Sequence, residues 1–180
     1  MSDDKTALRA KMREIEGSRS DVCSLSSRLV RQLGRWPLWQ AARTVCAVAA
    51  LRAEPDALDP WPDDKRIALP RVAGDALVFH WVTGRDGLLS GKFGILEPAA
   101  DAAEAENEFN LILIPGLAFD LHGGRLGRGK GFYDRFLAGA RGLRAGVCFD
   151  DQIVESVPID PHDLRMDFVV TPSSIYRCGS

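Results

Sequence analysis

The sequence predicts an α/β fold, a sheet covered by helices on both sides with a pair of helices at the front. Three observations carry this. Val45 to Leu51 and Leu111 to Ile114 are short, continuously apolar runs, and Leu143 to Phe149 is apolar but for Arg144, as expected of strands buried between two layers. Segments of helical period alternate with such strands. The run at Leu111 leads into five glycines among nine residues, Gly123 to Gly131, which feed a helix start at Phe132.

The elements follow in order. Asp3 or Asp4 is positioned to cap a helix starting near Lys5, with Leu8, Met12 and Ile15 at helical spacing. Lys5, Arg9 and Arg13 recur every fourth residue on another face, which read alone is a solvated surface. Ser20 or Asp21 caps a second helix carrying Val22, Leu25, Leu29 and Leu33. Trp36 to Trp39 reads as a connector, and Val45 to Leu51 as the first central strand. Functional residues of such sheets gather at strand ends, which draws attention to Arg52 and Glu54.

Asp56 to Asp64 is a loop or frayed helix, rich in Pro and Asp. Arg66 to Val72 is a strand whose Pro70 favours an edge or a strand end, with Arg71 facing a cleft or solvent. Leu77 to Val82 alternates with a period of two and is a strand, in which His80 reads as a satisfied sheet histidine. Gly91 to Pro98 is a compact shaped loop, and Ala99 to Asn107 a polar surface insert. Leu143 to Phe149 is a buried strand, Val157 to Asp163 a loop, and Phe168 to Thr171 a short last strand.

At 180 residues, 46% of them hydrophobic and 27% charged, the chain is sized for one domain, residues 1–180, with a substantial core. A net charge of -2 argues against bulk nucleic-acid or membrane-surface binding. The four cysteines form no Cys-x-x-Cys pair, so they read as reduced thiols of a cytoplasmic protein, neither a zinc site nor a redox dithiol. The charged N-terminus has no apolar stretch behind it, so neither a secretory signal nor a membrane anchor is expected.

The glycine stretch carries the strongest chemical signal. Gly123, Gly124, Gly127, Gly129 and Gly131 are interleaved with Arg125, Arg128 and Lys130. Glycine lets the main chain approach an anion closely, cations neutralise it, and the helix that follows adds a positive N-terminus. Like charges packed so closely repel unless an anion sits among them, so a polyphosphate is the expected guest. A hard divalent cation would accompany it, held by one or two carboxylates. Asp134 in the first helical turn is one candidate, and Asp163 or Asp167 the second. A dinucleotide fingerprint is disfavoured, because the glycines are spaced Gly-x-Gly-x-Gly and Gly127 lies well past the strand end. No Walker-type Gly-Lys-Ser/Thr ending is present.

Pro115-Gly116-Leu117-Ala118-Phe119-Asp120, followed by Arg125-Leu126-Gly127-Arg128-Gly129-Lys130-Gly131-Phe132-Tyr133-Asp134-Arg135, resembles the signature of the 5-formyltetrahydrofolate cyclo-ligase family. The resemblance extends in order to Lys5-x-x-Leu8-Arg9, Leu69-Pro70-Arg71-Val72, Phe93-Gly94-Ile95-Leu96-Glu97-Pro98 and the late Asp163. It implies a single-domain, three-layer α/β/α Rossmann-like sandwich with a mostly parallel, mixed sheet. It also implies ATP- and Mg2+-dependent conversion of 5-formyltetrahydrofolate to 5,10-methenyltetrahydrofolate, by a monomer acting on small molecules alone. In that chemistry the formyl oxygen attacks the γ-phosphate, N10 captures the imidate phosphate, and phosphate leaves.

By the same resemblance, Lys5 and Arg9 reach the ATP phosphates, and Arg125, Leu126, Gly127, Arg128, Gly129, Lys130, Gly131, Phe132 and Tyr133 wrap the nucleotide. The segment from Arg128 to Phe132 also borders the formyl end of the folate, with Lys130 and Arg128 as catalytic cations. Asp134 and Asp163 hold magnesium, and Asp167 falls to a structural role. Glu54 meets the donor edge of the pterin, and Phe93 and Phe119 supply aromatic walls. Relatives carry Glu, an aliphatic residue, an acid and Thr where this chain has Glu54-Pro55-Asp56-Ala57. That departure gives a second expectation, a nucleotide-binding paralogue with another substrate or a regulatory role.

Overall fold

A computed structural model describes residues 2–91, 94–160 and 163–179. The leading pair is α1 (Ser2–Ser18) and α2 (Val22–Gly34). α1 starts earlier than the capping argument placed it, so Asp3 and Asp4 lie in its first turn and complement the helix dipole. The connector at Trp36 is a short helix, α3 (Pro37–Ala41), with proline at its opening, where a missing N–H is tolerated. There follow β1 (Thr44–Cys46), β2 (Arg66–Ala73), β3 (Ala76–Val82), β4 (Leu88–Ser90) and β5 (Leu96–Pro98). The second half holds β6 (Glu108–Pro115), β7 (Ala118–Phe119), β8 (Arg125–Leu126), α4 (Phe132–Gly139), β9 (Arg141–Val147), β10 (Phe168–Val170) and β11 (Ile175–Arg177).

The main sheet has seven strands in the order β11-β10-β9-β6-β1-β2-β3. Its five inner strands run parallel and the two outer ones, β3 and β11, antiparallel. On β6, Leu111 and Leu113 point to one face, under Leu29, Leu33 and Trp39 of α2 and α3. Ile112 and Ile114 point to the other, under Phe136 and Leu137 of α4. A strand covered on both sides must be apolar at every position, which explains the continuous runs. The result is the predicted α/β sandwich with three layers.

α1 belongs to neither face. Its Leu8, Met12 and Ile15 pack on Leu117, Ala118, Leu126 and Val157, which lie past the ends of the strands. The chain builds outward from β1 to one side through β2 and β3, and from β6 to the other through β9 and β10. The carboxyl ends of β1 and β6 therefore diverge, and such switch points are where α/β sheets open a crevice.

β1 is shorter than the apolar run suggested. Its pairing ends with Cys46 plus one further bond, Ala47 N–H to Ala68 O at 2.9 Å. Val48 and Leu51 are apolar because they face a cavity instead. The early end also explains Pro70. Arg66 N–H and Ala68 O are directed to the β1 side, and Pro70, two residues on, is directed there too, where no strand remains to need its missing N–H. The 99–107 insert covers the outer edge of β3 through Trp81 N–H to Ala103 O and Ala105 N–H to Phe79 O, both 2.8 Å. His80 is buried with Nδ1 2.7 Å from Ala102 O, a satisfied sheet histidine.

Candidate active site

A cavity of about 660 Å³ opens at the switch point. Its floor is Val48, Pro115 and Gly116, at the ends of β1 and β6. Lys5, Arg9 and Arg13 of α1 form one wall, and the glycine loop from Arg125 to Gly131 with the start of α4 forms another. A third, apolar wall is made by Pro70, Val72, Leu77 and Ile95.

The glycine loop is anchored by Asp120, which is 3% exposed. Its Oδ1 accepts from His122 N at 2.9 Å and Gly124 N at 2.8 Å, and its Oδ2 from Val157 N at 2.8 Å. A Cβ on Gly124 would overlap that carboxylate, so only glycine fits. Gly129 (φ 97°) and Gly131 (φ 68°) are left-handed, and Gly131 opens α4 with no side-chain cap on its first-turn amides. α1 touches this loop directly. Arg9 Nε donates to Gly127 O at 3.0 Å.

The cations are embedded in carboxylates. Lys5 Nζ lies 2.7 Å from Asp160 Oδ2 and 2.5 Å from Asp163 Oδ2. Burial pulls its ammonium down, but the hydrogen bonds and charges of these two acids outweigh that, and the net displacement is upward. Arg125 Nη2 lies 2.5 Å from Asp134 Oδ1. Arg128 donates to Glu54 Oε1 from Nε at 3.0 Å and Nη2 at 2.8 Å, and its Nη1 donates to Glu16 Oε2 at 3.1 Å. Burial opposes the Arg128 charge, while Glu16 and Glu54 more than restore it. Glu54, 6% exposed, also accepts from Leu51 N at 3.1 Å.

Most of the residues singled out in the sequence thus line one cavity: Lys5, Arg9, Glu54, the loop from Arg125 to Tyr133, Asp134 and Asp163. Phe119 does not. It is fully buried, packed beneath Gly116 and Gly146, because each of those glycines leaves room for its ring. Phe93 lies outside the described residues. Asp167 accepts from Arg144 N at 2.8 Å and pairs with the Arg144 guanidinium, a structural role, and Arg71 donates to Pro98 O at 2.8 Å. Sequence reasoning missed Glu16, Asp160, Asp120 and Glu97. Glu16 could have been flagged, since it stands three residues past Arg13 and so near the basic row of α1. The Tyr133 hydroxyl is buried with no partner among the described residues, and burial pushes it well up.

Two carboxylates on the cavity wall, Asp134 and Asp163, suit a magnesium ion, which takes one or two protein carboxylates and leaves its other positions to water and phosphate oxygens. Among the described residues no group of three or more His, Cys, Asp or Glu could form an all-protein metal cage.

Fold and site together define a doubly wound α/β protein with a cation- and glycine-lined cleft at its switch point. The model of the 5-formyltetrahydrofolate cyclo-ligase family matches residues 1–172, and the chain belongs to that family, whose members are ligases. It is 39% identical over 145 residues to the 5-formyltetrahydrofolate cyclo-ligase of Mycolicibacterium smegmatis, covering 73% of this chain and 75% of that protein. The probable 5-formyltetrahydrofolate cyclo-ligase of Schizosaccharomyces pombe is 27% identical over 204 residues, covering 98% and 99%. The NMR structure of Aquifex aeolicus 5,10-methenyltetrahydrofolate synthetase superimposes with a TM-score of 0.88 at 32% identity, covering 98% of this chain and 93% of that one.

Proposed function

We propose that the chain, a single-domain cytoplasmic monomer, converts 5-formyltetrahydrofolate to 5,10-methenyltetrahydrofolate with ATP and Mg2+, releasing ADP and phosphate. The observation that supports this most is that Lys5 and Arg9 of α1 and the cations of the glycine loop line one cavity in a member of this family. The formyl oxygen attacks the γ-phosphorus as the bond to ADP breaks. N10 then attacks the formyl carbon, loses its proton, and expels phosphate. Phosphorylation turns a poor leaving group, the amide-type oxygen, into a good one, so the protein contributes mainly position and charge.

In this reading Lys5 and Arg9 hold the polyphosphate from one side, and the glycine-loop amides hold it from the other. Arg128 and Lys130 offset the charge that grows on the transferred phosphoryl group. Asp134 and Asp163 would hold magnesium, which neutralises phosphate oxygens when bound. To do so they must loosen their pairs with Arg125 and Lys5, cations that a triphosphate could then engage.

One observation favours a paralogue with another substrate. Glu54, the acid expected to meet the pterin, is already held by Arg128 and Leu51 N. ADP release separates the readings. It is expected only with 5-formyltetrahydrofolate present, to vanish on chelation of Mg2+, and to fall about 100-fold or more in Lys130→Ala. ADP release indifferent to the folate would favour the paralogue.

A further inference from the structure

Glu97 is an acid of this cavity for which the described residues provide no hydrogen bond or ion pair. It sits in β5, 6% exposed, and lines the cavity. Yet among the described residues no cation and no hydrogen-bond donor reaches its carboxylate. Glu54, Asp134, Asp160 and Asp163 all have partners. Its oxygens are not among the buried atoms left without a partner, so they open on the cavity, and a carboxylate kept in a cleft is completed by what binds there.

Its surroundings say what that is. Pro70, Val72, Leu77 and Ile95 give the neighbouring wall an apolar face suited to a flat ring. A carboxylate repels phosphate and accepts from N–H groups, so this wall suits the end of a ligand away from the phosphates. Pairing of Glu97 with Leu89 fixes its backbone, and its stem lies against Gly91, where a Cβ would overlap Cγ and Cδ.

We propose that Glu97 is a substrate-recognition residue, whose carboxylate accepts hydrogen bonds from the N–H edge of an amino-substituted heterocycle lying on the Pro70–Ile95 wall. The inference rests on the function proposed above, which supplies two such rings, adenine and the reduced pterin. Adenine presents only its exocyclic amine, whereas the pterin presents a ring N–H beside its amine.

Calorimetric titration of the full chain with a non-hydrolysable ATP analogue plus Mg2+, and separately with 5-formyltetrahydrofolate, distinguishes the sources. Glu97→Gln is expected to weaken one ligand about 10- to 100-fold, as loss of a charge-assisted hydrogen bond does, and to leave the other nearly unchanged. Its Tm is expected to stay near the parent's, because no hydrogen bond or ion pair of Glu97 with the described residues is lost. Gly91→Ala, which displaces the carboxylate but keeps the charge, is expected to weaken the same ligand, and it decides the matter if Glu97→Gln does not fold. Parent-like binding of both ligands by the variants would overturn the role of Glu97 alone. A parent that bound neither ligand would overturn the proposed function and this inference with it.

Discussion

Four of the cavity's cations already have partners within the chain. Lys5 is held by Asp160 and Asp163, Arg125 by Asp134, Arg128 by Glu16 and Glu54, and Arg9 by the Gly127 carbonyl. Clustered cations in a sequence imply an anion, but here much of it is carboxylate. Ligand entry is therefore an exchange of partners. The raised Lys5 ammonium stays charged through neutral pH, and its contribution is lost only as pH rises past 10.5. The thiols give a nearer alkaline limit. Burial pushes Cys46 and Cys148 well up, and Cys178 from 9.0 up to about 11. The folded chain keeps protons that the unfolded chain sheds, so stability should fall as pH rises through that interval. Near neutral pH, iodoacetamide should label the exposed Cys23 first, the half-buried Cys178 more slowly, and the buried Cys46 and Cys148 only on unfolding, read by peptide mass. Equal labelling of all four in the folded protein would contradict this burial.

α1 is the element on which the site depends most and which the core holds least. Its apolar residues belong to the cluster of neither helical layer, and it is seated by Leu8, Met12 and Ile15 on the ribbon of β7 and β8. Met12 is 2% exposed, so Met12→Ala should cost about 2–5 kcal/mol of docking energy. The expected result is faster amide exchange in α1 and weaker nucleotide binding, with the sheet's amides still protected. Uniform loss of protection would show that α1 is integral to the core. The basic row of this helix was legible because a period of four puts Lys5, Arg9 and Arg13 on one side. Its destination was not, because residues near the start and middle of the chain meet only through the fold. β1 was overread for a related reason: Val48 and Leu51 are apolar for the cavity, and hydrophobicity does not say what covers it. The three-residue β11 and β5 were too short to show a period.

The whole molecule is a switch-point sheet with a basic helix laid across its crevice. The sheet was legible because strands buried on both faces leave no polar position, and the loop because glycines beside cations have few other uses. The pairings of Glu16 and Asp160 were hidden, as was the lack of one for Glu97 among the described residues, since an acid's sequence context does not reveal which cation it meets. The central claim is that α1 and the glycine loop grip the same triphosphate. Its most direct test is the affinity of an ATP analogue with Mg2+ for Arg9→Ala, Lys130→Ala and the double variant. Each single change should weaken binding about 10-fold or more, with a coupling of about 0.5 kcal/mol or more between them, as for residues sharing one ligand. Undiminished affinity in either single variant, at unchanged Tm, would contradict it.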